Sequence, residues 1–145
     1  ERSVFTDRHV FAKMLYDDKK IESVNYQIYL KWFDEFIKDL PIKGIIYLKT
    51  TPNICLERIK NRKRKGEKSI TIKYINRCHN YHQEWINDVK KKSMVLILDG
   101  NITNPEIHFT QIKIFICDHN WVDISAFDVQ NHYREYQCTK CNLVR

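Results

Sequence analysis

The sequence predicts an α/β fold, a parallel sheet with flanking helices, followed by a small β-rich module. Three observations carry that expectation. Ile45 to Leu48 and Met94 to Leu98 are short continuous apolar runs of the sort buried within a parallel sheet. The stretches around them repeat apolar residues every three or four positions, so that strand, helix, helix, strand gives the order of α/β layering. Near the C-terminus, Cys117 and His119, then Cys138 and Cys141, form two close pairs of soft or borderline metal ligands.

Taken in order, a charged triplet, Glu1 to Ser3, precedes an amphipathic helix with Thr6 as its cap and Val10, Phe11, Met14 and Leu15 on one face. A longer helix follows over Ile21 to Leu40, where Ile21, Val24, Ile28, Trp32, Phe36 and Leu40 recur at intervals of three and four, and Pro41 ends it. After the first strand, Thr50 or Thr51 can cap the next helix, and Pro52 suits its first turn, where a missing N–H is harmless. That helix carries Cys55, Leu56 and Ile59 on an apolar face. A third long helix runs from Thr71 to about Lys90, with Ile72, Ile75, Trp85, Ile86 and Val89 inward, and the second strand closes at Asp99-Gly100. Asn101 to His108 holds Pro105 and no period, so residues 101–109 read as a linker between a first domain, 1–100, and a tail, 110–145.

At 145 residues and 43% hydrophobic, the chain can bury one core and a small appendage. No apolar run approaches the ~20 residues that span a bilayer, which points to a soluble protein. The first residue is Glu1, so the sequence reads as a piece of a longer polypeptide. Its three glycines do not cluster, and no glycine-rich phosphate loop is present. Five cysteines, two of them three apart, suit a reducing compartment with a metal site better than a disulfide framework. The expected location is cytoplasmic, with a mitochondrial one left open.

Charge is concentrated. From Arg58 to Lys68 there are seven Lys/Arg against Glu67 alone, a net +6 in a chain whose total is +7. Focusing cations at one strand-to-helix exit is how a protein prepares to hold a polyanion such as a nucleoside triphosphate. The same run also fits a solvated helix end whose cations favour the negative pole of the dipole.

The tail is electrically neutral, and its 36 residues are too few to fold easily without a staple. Cys117 and His119 fall on one face of an extended strand, and 18 residues separate His119 from the Cys138-x-x-Cys141 knuckle. Cys117, His119, Cys138 and Cys141 together suit structural tetrahedral Zn²⁺, with His132 as the substitute ligand. The other reading is two ordinary residues beside an uncommitted Cys-x-x-Cys.

Several short motifs then occur in a specific order. They are Glu1-Arg2-Ser3, Asp7-Arg8-His9-Val10-Phe11-Ala12, Tyr26 with Trp32-Phe33-Asp34, Gly44-Ile45-Ile46-Tyr47-Leu48, Thr51-Pro52, Cys55-Leu56-Glu57-Arg58-Ile59, Arg62-Lys63-Arg64, and Tyr74, His79 and Trp85. With these, roughly residues 1–100 resemble the deoxynucleoside kinase family, the P-loop group of deoxycytidine, deoxyguanosine and mitochondrial-type thymidine kinases. The resemblance implies the C-terminal part of a P-loop kinase fold. It also implies ATP-dependent phosphorylation of the 5′-hydroxyl of a deoxynucleoside, with Mg²⁺.

By that resemblance Glu1 helps to hold Mg²⁺, and Arg2 lies near the 5′-oxygen and the transferred phosphoryl group. Asp7 reads the base and tilts the substrate towards dG, dA or dC over thymidine. Phe11 stacks on the base, whereas without the resemblance core packing is the favoured reading. Arg58, Arg62 and Arg64 are lid arginines over the ATP phosphates, and Glu67 accepts from the sugar 3′-hydroxyl or forms a local ion pair. Family members are commonly dimers through long helices, which makes Ile21 to Leu40 the candidate face for a homodimer, although the same stripe would serve packing within one subunit. The family's P-loop and general base lie upstream of Glu1, so residues 1–145 alone are not expected to be a competent kinase, and the tail is outside the family pattern. The rival readings are a nucleoside monophosphate kinase and a non-catalytic kinase remnant acting as a zinc-stabilised interaction module. A basic nucleic-acid binder fits the charge but not Trp32 and Trp85, which sit on helical core periods. No membrane partner is expected.

Overall fold

The computed structural model describes residues 3–40, 42–123 and 136–144. Contacts divide the chain into two compact units, residues 1–101 and 102–145. Glu1, Arg2, Pro41 and His132, each given a role above, lie outside the described residues.

In the first unit, helix α1 (residues 4–17) is composite: α-helical at Val4–Thr6, π-helical over Asp7–Ala12 and α-helical again at Lys13–Asp17. Its cap is Ser3, whose side chain accepts from the Thr6 N–H at 3.2 Å, one turn earlier than the expected Thr6. The widened π turn shifts the helical phase. Val10 and Met14 stay buried, whereas Leu15, expected on the same face, is exposed. Helix α2 (Ser23–Ile37) lies within the expected span.

Strand β1 (Ile45–Lys49) pairs in parallel with β2 (Val95–Asp99), in register from Ile45 opposite Val95 to Lys49 opposite Asp99. Between them come α3 (Pro52–Arg62) and α4 (Ile72–Val89). Thr51 stands at the cap position of α3, with Pro52 in its first turn. Thr71 caps α4 by accepting from the Tyr74 N–H at 3.2 Å. The core sits where α1 meets α4: Val10, Met14, Trp85 and Ile86 are buried together, and Phe5, Phe11, Ile45, Tyr47 and Val95 pack on them. Asp18 receives both terminal nitrogens of Arg77, at 2.6 and 3.1 Å, and Tyr81 donates to Asp17 at 2.6 Å, which ties the end of α1 to α4.

Two expectations about burial are corrected. The strands are not covered on both faces: Leu98 is buried, but Ile46, Leu48 and Ile97 are exposed. The stripe Val24, Ile28, Trp32, Phe36 and Leu40 is exposed as well, with Trp32 at 59%, so Trp32 does not sit in a core. A helical period encodes an apolar face and leaves its partner unspecified.

In the second unit, residues 105–116 form helix α5 (Pro105–Ile116), where the sequence reads as a linker and a β-like tail. The start signals outweigh the missing period. Asn104 accepts from the Glu106 N–H at 3.0 Å, and Pro105 occupies the first turn. Two three-residue strands follow, β3 (Trp121–Asp123) and β4 (Tyr136–Cys138), paired antiparallel with Trp121 opposite Cys138. Among the described residues no helix is long and apolar enough to cross a membrane.

Candidate functional site

Two places gather chemistry, one in each unit. In the first unit it lies at the carboxyl ends of the parallel strands, where ligands of open α/β sheets bind. Gly100 follows β2 and donates its N–H to the Lys49 carbonyl at 2.7 Å. A Cβ at Gly100 would collide with the Thr50 hydroxyl and press on Leu48 and the Lys49 carbonyl, so the two strand ends approach this closely only with glycine there. Asn101 Oδ1 accepts from the Thr51 N–H at 3.0 Å and from the Thr51 hydroxyl at 3.2 Å, fixing the start of α3. From α3, Arg58 donates to the Gly100 carbonyl at 2.8 Å.

The helix stops at Lys63, which takes the left-handed conformation with φ 51° and ψ 36°. The chain then turns back through Gly66, and Glu67 meets Arg62 at 2.5 Å. Arg62 and Glu67 are thereby brought together, while Arg58 is directed elsewhere. Arg64 lines a cavity of about 410 Å³ with Leu56, Ile59, Lys63, Glu67 and Ile70, among others. Arg58, Arg62 and Arg64 are all exposed.

Asp7 begins the π-helical stretch, and its carboxylate accepts from the Tyr29 hydroxyl at 3.0 Å. Burial first, and then the Asp7 hydrogen bond, push the Tyr29 phenol up to about 12, so it remains a donor. Next to it, Arg8 pairs with Asp34 and lies over the Phe33 ring, 4.6 Å from the centroid. Phe11 faces His82 edge-on with centroids 6.1 Å apart, and His82 stacks on Tyr47. His82 Nδ1 lies 2.6 Å from the Cys78 carbonyl, which can only accept, so Nδ1 carries the hydrogen. Phe11, Tyr47 and His82 line a cavity of about 760 Å³ together with Ser3, Thr6 and Trp85, among others. Sequence reasoning missed Tyr29, Asn101 and Gly100 as supports. Only the Asp99-Gly100-Asn101 turn signal hinted at the last two.

In the second unit Cys117, His119, Cys138 and Cys141 converge, with one ligand atom from each and all four within 4.8 Å of one another. Cys117 Sγ and Cys138 Sγ are 3.7 Å apart, and Cys141 Sγ lies 3.4 Å from His119 Nδ1. All four sequence-designated ligands thus meet, and the cysteines are free thiols. Burial opposes charge on Cys138, but His119 and the backbone N–H groups of Lys140, Cys141 and Asn120 outweigh it and hold this thiol below the ordinary cysteine range.

A sequence model of the deoxynucleoside kinase family matches residues 1–122, taking in Cys117 and His119 but ending before Cys138 and Cys141. The chain is 42% identical over 107 residues to the probable deoxycytidine kinase of Fowlpox virus (strain NVSL), covering 70% of this chain and 45% of that protein. It is 38% identical over 90 residues to the mitochondrial deoxyguanosine kinase of Xenopus laevis (59% of this chain, 34% of that protein). It is 39% identical over 90 residues to the deoxycytidine kinase of Homo sapiens (59% and 35%). The chain therefore spans less than half the length of each of these curated relatives. Among solved structures, deoxyadenosine kinase from M. mycoides with bound dCTP superimposes with a TM-score of 0.64 at 22% identity, over 79% of this chain and 59% of that one. At that identity the likeness speaks for the fold, and the family match speaks for descent. Since it takes in 122 of 145 residues, the chain belongs to the deoxynucleoside kinase family.

Proposed function

We propose that this chain forms part of an enzyme that transfers the γ-phosphoryl group of ATP to the 5′-hydroxyl of a deoxynucleoside, favouring dG, dA or dC over thymidine. The observation that carries this reading is the Arg58 anchor at the Gly100 carbonyl, which sets the cationic run beside the carboxyl ends of β1 and β2. The 5′-oxygen attacks the γ-phosphorus, the bond to the β–γ bridging oxygen breaks, and the 5′-proton leaves to a general base. Arg2 accompanies the transferring group. Arg62 and Arg64 neutralise charge on the phosphates, and a basic segment that closes over them also excludes water. Glu1 is a carboxylate suited to Mg²⁺, which when bound offsets charge on the β- and γ-oxygens. Residues 1–145 hold no glycine-rich phosphate loop, so the reaction calls for one from polypeptide outside them, together with the general base.

Asp7 reads the base edge, steadied by Tyr29, while Phe11 offers a ring face and Glu67 an acceptor for the sugar 3′-hydroxyl. In the second unit, where the sequence-based boundary at residue 110 falls inside α5 and the unit begins at residue 102, Zn²⁺ is held by Cys117, His119, Cys138 and Cys141. The exposed stripe from Val24 to Leu40 is an apolar face suited to a second copy of the chain. Sedimentation of Trp32→Asp beside the parent tests that pairing, and an unchanged mass removes it. The test of the activity is steady-state phosphorylation of dG, dA, dC and thymidine by a complete enzyme carrying this chain, parent against Asp7→Ala. The expected result is lost discrimination. Unchanged preference removes the role of Asp7, and turnover of dGMP but not deoxyguanosine replaces the reading with a monophosphate kinase.

A further inference from the structure

We propose that Cys117, His119, Cys138 and Cys141 form a closed structural Zn²⁺ site, and that loading it and folding the knuckle around it are one event. This deepens the zinc reading above and rests on it.

Two of the separations between these donors fit the ion. A tetrahedron with Zn–S of about 2.3 Å and Zn–N of about 2.0 Å has S–S edges of roughly 3.8 Å and S–N edges of roughly 3.5 Å. Cys117 Sγ to Cys138 Sγ is 3.7 Å, and Cys141 Sγ to His119 Nδ1 is 3.4 Å. Two thiols in mere contact lie at a similar distance. The distinguishing fact is that four donors from two separate segments converge on one point. Three thiolates and an imidazole select a borderline-soft ion over Mg²⁺, so this metal is distinct from any at the phosphates.

The site is closed because four protein donors would fill a tetrahedral ion's coordination, leaving no position for water or substrate, with Cys138 buried and the other three ligands half-buried. Its supports are local. Asn142 N–H donates to the Cys138 carbonyl at 2.9 Å, and Cys138 N–H to the Leu143 carbonyl at 2.8 Å, with Asn142 left-handed at φ 60°. Thr139 N–H reaches the Asn120 carbonyl at 3.0 Å and joins the two ligand-bearing segments.

Folding and loading coincide because, among the described residues, only the short β3–β4 ladder, the Gln137–Val144 bridge and a few backbone hydrogen bonds otherwise hold these segments. Among the described residues of the second unit, Cys138 is the only buried one. The β3–β4 ladder is three residues long, and a short two-stranded pair is marginal by itself. Among the described residues the ligand cluster stands where an apolar core would, so the free energy of metal binding is also that of ordering the knuckle.

The test uses the full chain, reduced and stripped of metal, titrated with Co²⁺ and then Zn²⁺, with hydrogen exchange read by mass spectrometry before and after loading. The expected result is one equivalent of Co²⁺ with thiolate charge-transfer and tetrahedral d–d absorption, displaced by Zn²⁺. Protection should be gained over 117–123 and 136–144, while residues 72–89 remain unchanged. His119→Cys should retain one equivalent with a shifted spectrum, and Cys141→Ala should lose it. Absence of stoichiometric metal overturns both this proposal and the zinc reading. One equivalent bound with identical exchange in both states leaves the zinc reading standing and overturns the coupling. A weak six-coordinate Co²⁺ spectrum overturns the closed site.

Discussion

Tyr29 donates its phenolic hydrogen to Asp7 at 3.0 Å, bridging α2 and the π-helical stretch of α1. The hydrogen bond fixes the carboxylate's direction and engages one of its two oxygens. Tyr29→Phe keeps the ring contacts and removes only the donor, at a cost of about 1 kcal/mol. In a complete enzyme it should raise KM for the deoxynucleoside more than it lowers kcat. Equal effects on both, or none, would contradict a positioning role.

Gly100 joins the two strand ends where no side chain fits. Gly100→Ala should destabilise the first unit by about 1–3 kcal/mol through overpacking. The thermal midpoint is the measurement, and it should fall by several degrees. An unchanged midpoint would mean that Thr50 and Leu48 yield freely.

His9 stacks on Trp85, with centroids 5.6 Å apart and planes 7° from parallel. Burial, and then the Arg8 cation, lower its pKa from the ordinary 6.5, with Asp34 opposing. The unfolded chain therefore binds a proton more readily, and stability rises with pH through the window below 6.5. The expected outcome is a lower midpoint at about pH 5.5 than at about pH 7.5, a difference that shrinks in His9→Phe. A pH response identical in the two proteins would assign the effect to other groups.

Arg62, 46% exposed, pairs at 2.5 Å with Glu67, which is 20% exposed. A pair with one well-solvated partner contributes about 0–1 kcal/mol, so Glu67→Gln should lower the midpoint by no more than a few degrees. It should nevertheless free Arg62 and lower KM for ATP in a complete enzyme, whereas Arg62→Ala should raise it. If both substitutions raise KM alike, Glu67 is serving the nucleotide directly.

The helices and the strand order were legible because their signals are local: the Thr71 cap, the Pro52 start, and the Ile75, Trp85 and Ile86 period. The convergence of Cys117, His119, Cys138 and Cys141 was legible by spacing, because two close pairs of such side chains suit a shared centre. What the sequence hid was partnership. Nothing in the spacing of Ile46, Leu48 or Trp32 told whether a neighbour covered them, and all three proved exposed. The Tyr29–Asp7 and Arg58–Gly100 bonds join residues 22 and 42 positions apart, which no local pattern encodes. Helix α5 was missed for the opposite reason, since its cap and Pro105 were visible but its apolar residues did not mark one side.

The left-handed Lys63 divides the cationic run into two kinds of charge. Arg58, Lys60 and Arg62 ride on α3 at spacings that the helix fixes, and Arg58 is tethered to the neighbouring strand end. Lys63, Arg64, Lys65 and Lys68 come at or after the break, where the helix no longer sets their spacing. On the proposed reading, the first group is a standing field for an approaching anion and the second is charge recruited once the anion is held. Added salt should therefore slow arrival through both groups, yet slow departure should depend chiefly on the second.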